Sequence, residues 1–451
     1  MGDAIAKPDS VLGRLFEFEK RQTSTGIEVI AGISTYLALA PSYVLIPAVL
    51  SQAGIDPSAV LFATIVSSAV ATLAMGFWAN LPFAVSAGIE MSGFFAFVVC
   101  GTLQMSWQQG LGAVFISGLI CLLFTAVRIR QDIIDAIPHG LKKAIGTSVG
   151  VFVATIGLVL AHILAFNNGR IDVDAFAVSR FWTHSAFVLY IGLGLSIVFA
   201  LTRLKFPGGL LLAILVCAGL CALWGIRSTA PPELSTKMFN AIGHLQLGIL
   251  TDSRFWSPIV VFFVIDFLGG IGKFIGLTSN TNIRDANDNV PRLSRALYVD
   301  GAGTVLASWL GTSSLIAFIE SSVGIKAGGR TGLTAVVCAV LMSLTLVLTP
   351  LLKWIPSEGV AGVLLFVGYL LMPGIGDGDA RIRLSRFDFV AASVMGVVSF
   401  LTFSLDRALA IGFWAYYIHA RIVPGQSARN RIWLGSIAVV LTVTIAWQWH
   451  E

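Results

Sequence analysis

Charged residues are scarce in this sequence. Asp, Glu, Lys and Arg make up 12% of its 451 residues, about half of the share that is usual in soluble domains. Apolar residues account for 56%, and apolar runs of roughly 18 or more residues, the length that spans a bilayer core, recur along the chain. Transmembrane strands would instead give alternating segments of ~10 residues. The composition therefore indicates an all-α polytopic membrane protein, with the lipid bilayer as its surroundings.

Cysteine and histidine are also scarce. The five cysteines lie in apolar runs, and Cys217 and Cys221 are four residues apart without a nearby histidine. We interpret them as small core residues rather than as a metal site or a disulfide pair. The six histidines are scattered, and no nucleophile motif is present. We therefore expect no catalytic residues, no metal, no cofactor and no enzymatic activity.

The basic residues lie at the edges of apolar runs. Although the net charge is +5, this placement favours a role in membrane topology over a nucleic acid partner. Residues 1–26 are rich in polar and charged residues, and the first apolar run is too long for a cleavable signal peptide. This N-terminal segment is interpreted as cytoplasmic and amphipathic, with Leu12, Phe16 and Phe18 on the membrane surface.

The apolar runs form two groups of seven. The first seven predicted spans cover about 27–50, 58–79, 84–103, 110–128, 141–165, 184–202 and 207–225. After a polar connection over 227–257, the second seven cover about 258–279, 296–310, 312–325, 331–352, 358–373, 387–404 and 408–421. A further apolar helix is expected within 432–451; its apolar part, 432–449, either crosses the membrane or lies along it.

Basic clusters follow the even-numbered spans, and another lies in the N-terminal segment. By the positive-inside rule these clusters are cytoplasmic, which predicts a plasma (inner) membrane protein with a cytoplasmic N-terminus. Since each half has an odd number of spans, the second half is inverted relative to the first. Inverted repeats are typical of secondary transporters.

A polar motif occurs once in each half. Residues 89–92 read Ile-Glu-Met-Ser, and residues 319–322 read Ile-Glu-Ser-Ser, 230 residues later. A charge at the bilayer centre costs about 2.5–3.5 kcal/mol, so Glu90 and Glu320 indicate a functional site. Small or turn-forming residues precede both carboxylates, which predicts two half-helices that meet near the middle of the bilayer.

These half-helices form the predicted substrate site. Glu90 and Glu320 would contact the substrate, and one of them would carry the coupling proton. Phe94 or Phe318 would stack on a planar ligand. Each residue has a structural alternative, namely hydrogen bonds to backbone amides for the carboxylates and packing for the phenylalanines. Backbone amides would complete the pocket around Ala87, Gly88, Ser313 and Ser314.

Predicted span 8 carries one charge of each sign. Asp266 and Lys273 are seven residues apart, which places them on one helix face. The glycine-rich stretch between them, which includes Gly269, lets a ligand or another backbone approach closely. Asp266 is a further candidate for proton coupling. Lys273 either contacts the substrate, neutralises Asp266, or extends toward the cytoplasmic edge of the membrane.

Residues 291–337 carry a family signature. The pattern GTS…ESxxGxxxGGRTGLTA is present from Gly311 to Ala335, and further similarity covers residues 25–40 and 137–158. In these residues the chain resembles the adenine/guanine/hypoxanthine permease branch of the nucleobase–cation symporter-2 (xanthine/uracil permease) superfamily. The resemblance implies fourteen spans in two inverted sevens, short strands before the half-helices of spans 3 and 10, and a homodimer.

The resemblance also implies two domains that move against each other. The core domain would comprise residues 27–130 (spans 1–4) and 258–352 (spans 8–11). The gate domain would comprise residues 131–226 (spans 5–7) and 353–431 (spans 12–14).

The chain departs from the family pattern at two places. Family members usually carry Gly-Met-Gly-Leu-Asn-Ala-Phe-Phe in span 3, where this chain places Glu90. They also carry an acidic residue in span 8, in a pattern like Asp-Thr-x-Gly-Thr, where this chain has Gly269 to Lys273. This chain therefore lacks the acidic residue of span 8 and has Gly269 at that position, with Lys273 four residues later. It has an additional acidic residue, Glu90, in span 3.

Together these features predict a secondary active transporter. A coupling proton or other cation would drive symport of a purine-like nucleobase or related heterocycle by alternating access. The alternative keeps the fold and changes the cargo to a small organic or inorganic anion, held by Lys273 and the half-helix N-termini.

Overall fold

A computed structural model of the chain describes residues 11–127, 137–160, 164–167, 170–172, 236–248, 256–278, 283–284, 290–352, 385–422 and 428–447, with a few isolated residues between them. Apolar helices predominate in these ranges. Five helical stretches are long and apolar enough to cross a membrane. Predicted spans 6 and 7 and most of predicted span 12 lie outside the described residues.

The first half contains eight described helices and three strands. In chain order they are α1 (Val11–Leu15), α2 (Phe18–Arg21), α3 (Thr25–Leu39), α4 (Ser42–Leu50), α5 (Pro57–Ala74, extended by π-helical Met75–Ala79), β1 (Val85–Ala87), α6 (Ile89–Gly93, extended by π-helical Phe94–Thr102), α7 (Trp107–Ala126), α8 (His139–Leu160), β2 (Ala165–Asn167) and β3 (Arg170–Asp172). Predicted spans 1 to 5 thus correspond to observed elements. Span 1 is interrupted between α3 and α4, where Pro41 lacks the backbone N–H group that a continuous helix would use as a hydrogen-bond donor.

The second half has its own described elements after a short 3-10 helix at Thr236–Phe239. They are α9 (Trp256–Thr278), α10 (Leu293–Leu310), β4 (Leu315–Ala317), α11 (Ser321–Lys326), α12 (Gly332–Leu352), α13 (Arg386–Thr402), α14 (Leu405–Ile422) and α15 (Ala428–Trp447). The last helix includes most of the further apolar segment. It packs on α14, where the Trp414 indole donates to the Thr442 hydroxyl at 2.8 Å.

Local signals start several of these helices. Asp56 accepts a hydrogen bond from the Ser58 amide at the start of α5. Pro57 occupies the first helical position, where its lack of an N–H group costs no hydrogen bond within the helix. Ser106 and Gln109 form a reciprocal capping box at the start of α7. Ser385 and Asp388 form another at the start of α13. These caps satisfy amides that a helix leaves without intrahelical partners.

Strands β1 and β4 join the two halves of the chain. They pair antiparallel, with Ser86 opposite Ile316 and Ala87 opposite Leu315. Both strands are fully buried, and each is followed by a short helix. The strands expected before the half-helices of spans 3 and 10 are therefore present, and the two polar motifs follow them at opposite ends of the ladder.

The N-terminal segment differs from its prediction. Phe16 and Phe18 are 1% and 3% exposed and pack against Leu333 and its neighbours on α12. The prediction that they lie on the membrane surface is therefore wrong, whereas Leu12 is 41% exposed. The backbone turns at Glu17, which has a φ of 60°, and this turn directs the two rings onto the protein.

Glu28 connects this region to the glycine-rich end of the family signature. Its carboxylate is fully buried. It accepts hydrogen bonds from the Thr23 hydroxyl at 2.8 Å, the Arg330 amide at 2.9 Å, the Thr331 amide at 3.3 Å and the Thr334 hydroxyl at 2.5 Å. One side chain thus satisfies two amides at the start of α12.

We predict that Glu28→Ala destabilises the protein, because two buried amides and two hydroxyls lose their acceptor. Each buried donor left without a partner costs about 1–3 kcal/mol, so the melting temperature in detergent should fall by several degrees. Glu19→Ala is the matched control, since Glu19 is exposed on α2. Equal melting temperatures for the two variants would contradict the structural role of Glu28.

Candidate functional site

The paired strands position the candidate site. Ala87 ends β1, Gly88 precedes α6, and Ser313 and Ser314 precede β4. The Gly88 amide donates to the Ser314 carbonyl at 3.1 Å, which extends the ladder beyond the strands. Of the backbone amides predicted to face a ligand, that of Gly88 is therefore engaged within the protein.

Hydroxyl groups hold the two motifs together. Ser92 and Ser313 share a hydrogen bond of 2.6 Å, and Ser68 donates to Ser86 at 2.9 Å. All four side chains are fully buried. Ser313 thus supports the scaffold of the site through its side chain.

The central contact of the site is an ion pair between α6 and α9. The Lys273 ammonium lies 3.1 Å from Oε1 of Glu90, and the two side chains are 14% and 8% exposed. Glu90 lies in the first turn of α6, immediately after the paired strand. In this nearly buried position each charge has the other as its partner.

Glu320 completes a group of three charges. It follows β4 by three residues and occupies the N-cap position of α11. Its carboxylate interacts electrostatically with both Lys273 and Glu90. The antiparallel ladder places Glu320 and Glu90 beyond its opposite ends, and Glu320 is partly exposed. With all three groups ionised, their formal charges sum to −1.

Asp266 belongs to a separate polar cluster. Its Oδ2 accepts hydrogen bonds from the Ser314 hydroxyl at 3.0 Å and the Thr304 hydroxyl at 3.2 Å, and the Cys121 thiol lies 4.0 Å away. The interpretation that Lys273 neutralises Asp266 does not agree with this geometry. Seven residues along a helix span about 10.5 Å, so a shared face does not bring the two charges into contact.

The aromatic candidates are mainly packed inside the protein. Phe94 is 1% exposed and meets Phe262 edge to face at a centroid distance of 5.1 Å. Phe318 is 6% exposed and lies between β4 and Glu320. Gly269 lies within α9, between the Asp266 cluster and the ion pair.

Two polar residues of the site carried no specific role in the sequence analysis. Thr304 on α10 contacts Asp266, shares a hydrogen bond with Ser314 and donates to the Leu315 carbonyl. Ser92 contacts Ser313 across the two halves. Ser92 belongs to the duplicated motif, so the sequence could have indicated that it lies in the site. Thr304 is an isolated threonine in an apolar helix and carries no such indication.

The three-charge group has a defined chemistry. Its carboxylates accept N–H groups, and its ammonium donates to a carbonyl oxygen or ring nitrogen. A neutral heterocycle with both kinds of group on one edge matches this set.

Comparison with solved structures supports the fold. The transmembrane domain of a cyanobacterium bicarbonate transporter, BicA, aligns with a TM-score of 0.67 at 16% identity, covering 88% of this chain and 98% of that one. Murine Slc26a9, an anion transporter in the inward-facing state, aligns with a TM-score of 0.67 at 11% identity, covering 93% of this chain and 73% of that one. At these identities the likeness concerns the fold alone.

Sequence comparison identifies closer relatives. The chain is 33% identical to adenine permease AdeQ of Escherichia coli K12, with 92% of each chain covered. It is 30% identical to guanine/hypoxanthine permease GhxP of Escherichia coli O157:H7 over the full length of both, and 33% identical to a putative permease of Methanocaldococcus jannaschii, with 90% and 91% covered. These relatives confirm the resemblance found in residues 291–337.

A family model described as Permease family matches residues 26–405. This range includes both polar motifs and the strands β1 and β4 that precede them. Its members are transporters and not enzymes, and the apolar helices of this chain are those of an integral membrane protein. The chain therefore belongs to the Permease family.

Proposed function

We propose that the protein is a secondary active transporter that couples the movement of a purine nucleobase to the movement of protons. The observation that carries the proposal is the nearly buried ion pair between Glu90 and Lys273 at the junction of the two halves, with the Glu320 carboxylate in electrostatic reach of both charges. The group offers acceptors and a donor to a neutral heterocycle, and it has one carboxylate in excess to take up a proton. The names of the relatives, adenine permease and guanine/hypoxanthine permease, support purines as the cargo.

In this proposal Glu320 carries the coupling proton, because Glu90 is engaged by Lys273. The substrate lies beside the three charges, between residues 87–90 and 313–320. Phe318 stacks on the ring, and Phe94 supports the pocket from behind through its contact with Phe262. Asp266 remains a second candidate for the proton, within its hydroxyl cluster.

The proposed architecture is fourteen spans in two inverted sevens. A core domain (27–130 and 258–352) carries the three charges and moves against a gate domain (131–226 and 353–431), which gives alternating access. The fit of Gly93 in α6 against Phe152 and Ile156 in α8 supports a contact between these domains near the site. We further propose a homodimer in the inner membrane with cytoplasmic N-termini.

The alternative cargo, a small anion, is less compatible with the charges. The only formal positive charge of the group, Lys273, already has Glu90 as its partner, and Glu320 adds a negative charge. While Glu320 is ionised, an anion would have to enter a site with a net charge of −1. A neutral purine avoids this repulsion.

We predict that Glu320→Gln abolishes accumulation of adenine and hypoxanthine in proteoliposomes with an inwardly directed proton gradient. The amide keeps the size of the side chain but takes up no proton, so uptake should stop at equal internal and external concentrations. Glu19→Gln, at an exposed position of α2, is the control. Accumulation at the wild-type level by the Glu320 variant would rule out Glu320 as the proton carrier.

A competition experiment tests the cargo. Unlabelled adenine, guanine and hypoxanthine should each reduce uptake of labelled purine, whereas bicarbonate, acetate and methanesulfonate should leave it unchanged, because the site repels anions. Thermal shifts of the purified protein give an independent measurement, since a ligand that binds only the folded state raises the melting temperature. Stabilisation by the anions and not by the purines would support the alternative cargo.

A further inference from the structure

We infer that Phe97, Phe152 and Phe403 form an aromatic gate, which closes the substrate site on the face away from the N-terminal segment and opens during transport. This inference rests on the proposed function and its two moving domains. Phe403 packs edge to face against Phe97 at a centroid distance of 5.3 Å and against Phe152 at 5.0 Å. All three side chains are buried, so the contact between the rings excludes water.

Phe403 lies at the tip of a helical hairpin. At the base of this hairpin, the Tyr416 hydroxyl of α14 donates to the Asp388 carboxylate of α13 at 2.6 Å. At the other end, α13 stops at Thr402 and α14 begins at Leu405. The two helices therefore run antiparallel and turn at Phe403, about 25 Å from the base.

The backbone at Phe403 indicates that its ring has a function. Its φ is 48°, in the left-handed region that a bulky residue rarely adopts and that glycine adopts without strain. The turn itself is held by Asp406, which accepts hydrogen bonds from the Ser404 hydroxyl and from the Arg407 amide at 2.9 Å. Strained positions of this kind cluster at clamps and switch regions. Since the turn does not require a phenylalanine, the contacts of the ring explain its presence.

One of the two ring contacts crosses the proposed domain boundary. Phe152 on α8 and Phe403 belong to the proposed gate domain, where the Ser399 hydroxyl of α13 donates to the Ser148 carbonyl of α8 at 3.2 Å. Phe97 lies on the extension of α6, in the proposed core domain. Movement of one domain against the other therefore separates Phe97 from Phe403 and leaves Phe152 with Phe403.

The surface at which α6 meets the gate domain is apolar. Beside the rings, Gly93 leaves room for the side chain of Ile156, which an added Cβ would contact. Apolar surfaces separate without leaving a hydrogen-bonding group unpaired. Separation of β1 from β4 would instead expose backbone groups that have no other partner in a membrane. The aromatic contact is thus suited to opening, whereas the strand pairing is suited to staying closed.

The two ends of α5 mark the two faces of the protein. Just after its last turn, the Asn80 amide group donates to the Phe16 carbonyl of the N-terminal segment at 3.2 Å. Near its start, Phe62 packs edge to face on Phe239 at 5.1 Å. With its extension α5 has 23 residues and is about 30 Å long. The N-terminal segment and the segment 236–248 therefore lie at opposite faces.

The aromatic gate lies between the ion pair and the face of segment 236–248. The Gln246 amide donates to the Gln108 carbonyl in the first turn of α7 at 2.9 Å, which places the start of α7 at this face. The extension of α6 ends shortly before α7 begins, so α6 runs from the ion pair toward the same face. Phe97 follows Glu90 by seven residues, about 10 Å along the helix. In the proposed topology this is the external face.

Cross-linking tests whether the contact opens. In Phe97→Cys/Phe403→Cys, a short bifunctional methanethiosulfonate joins α6 to the hairpin tip, and dithiothreitol releases it. Uptake of labelled hypoxanthine and adenine into proteoliposomes is measured before cross-linking, after it and after release. Cross-linking should remove nearly all uptake, because a locked gate cannot open, and release should restore it. Wild-type protein treated in the same way controls for the five native cysteines.

Phe124→Cys/Phe263→Cys is the matched control. These two rings lie 5.2 Å apart on α7 and α9, both within the proposed core domain, so cross-linking them should leave uptake unchanged. Uptake that persists in the cross-linked Phe97/Phe403 variant overturns the inference. Failure of that variant to cross-link overturns it as well, because the contact would then be absent.

Accessibility gives a measurement that needs no substrate. In right-side-out vesicles, Phe97→Cys should react slowly with a membrane-impermeant thiol reagent added outside, because the gate covers it. Adding Phe403→Gly, which suits the backbone of the turn, should raise the rate about tenfold, since loss of aromatic contacts shifts an open–closed equilibrium by about that factor. Adding Phe387→Ala instead removes a ring that stacks on His419 at the base of the same hairpin and should leave the rate unchanged.

The outcomes separate the gate from the cargo. Equal reaction rates for Phe97→Cys with and without Phe403→Gly overturn the aromatic gate. Absence of purine uptake by the wild type contradicts the proposed function, and the accessibility measurement decides the gate in that case too. Purine uptake that survives cross-linking of α6 to the hairpin tip contradicts only this inference.

Discussion

The pairing of β1 with β4 is the constraint on which the rest of the site depends. Backbone amides and carbonyls in the middle of a bilayer have no water to bind, so non-helical segments need partners within the protein. Each strand has three residues and finds its partner in the other half of the chain. The Phe318 amide donates to the Ala84 carbonyl at 2.9 Å and extends the ladder. Because the pairing is antiparallel, the chain leaves β1 toward Glu90 and β4 toward Glu320 at opposite ends of one short ladder, so both motifs belong to the same junction.

Small hydroxyl side chains make the junction compact. Ser92 with Ser313, Ser68 with Ser86, and Thr64 with Thr312 form hydrogen bonds between neighbouring segments. Each pair satisfies its own polar atoms, so the segments approach closely without a buried group lacking a partner. The Asp266 cluster extends this network from the strands to α9 and α10. Ser92 and Asp266 thereby connect the network to α6 and α9, the helices that carry Glu90 and Lys273.

The sequence predicted the helices and the two carboxylates more readily than their contacts. Apolar runs reveal spans because lipid requires them, and Glu90 and Glu320 are conspicuous because buried charges are rare. The partner of Lys273 was not predictable in this way, since helical periodicity identifies a face and not the neighbour that packs on it. The prediction that Phe16 and Phe18 lie on the membrane surface failed for a related reason. An apolar side chain is compatible with lipid and with the protein interior, and the turn at Glu17 places these two rings in the protein interior.

The Glu90–Lys273 pair also indicates how two charged residues are accommodated at the junction without loss of the fold. Either residue alone would leave a charge without a partner in a nearly buried site, which destabilises a protein by about 3–5 kcal/mol. Together they form an ion pair, so the two positions are energetically coupled. The pair connects α6 to α9, whereas the strand pairing connects other residues. The chemistry of the pair can therefore change while the strand geometry is kept.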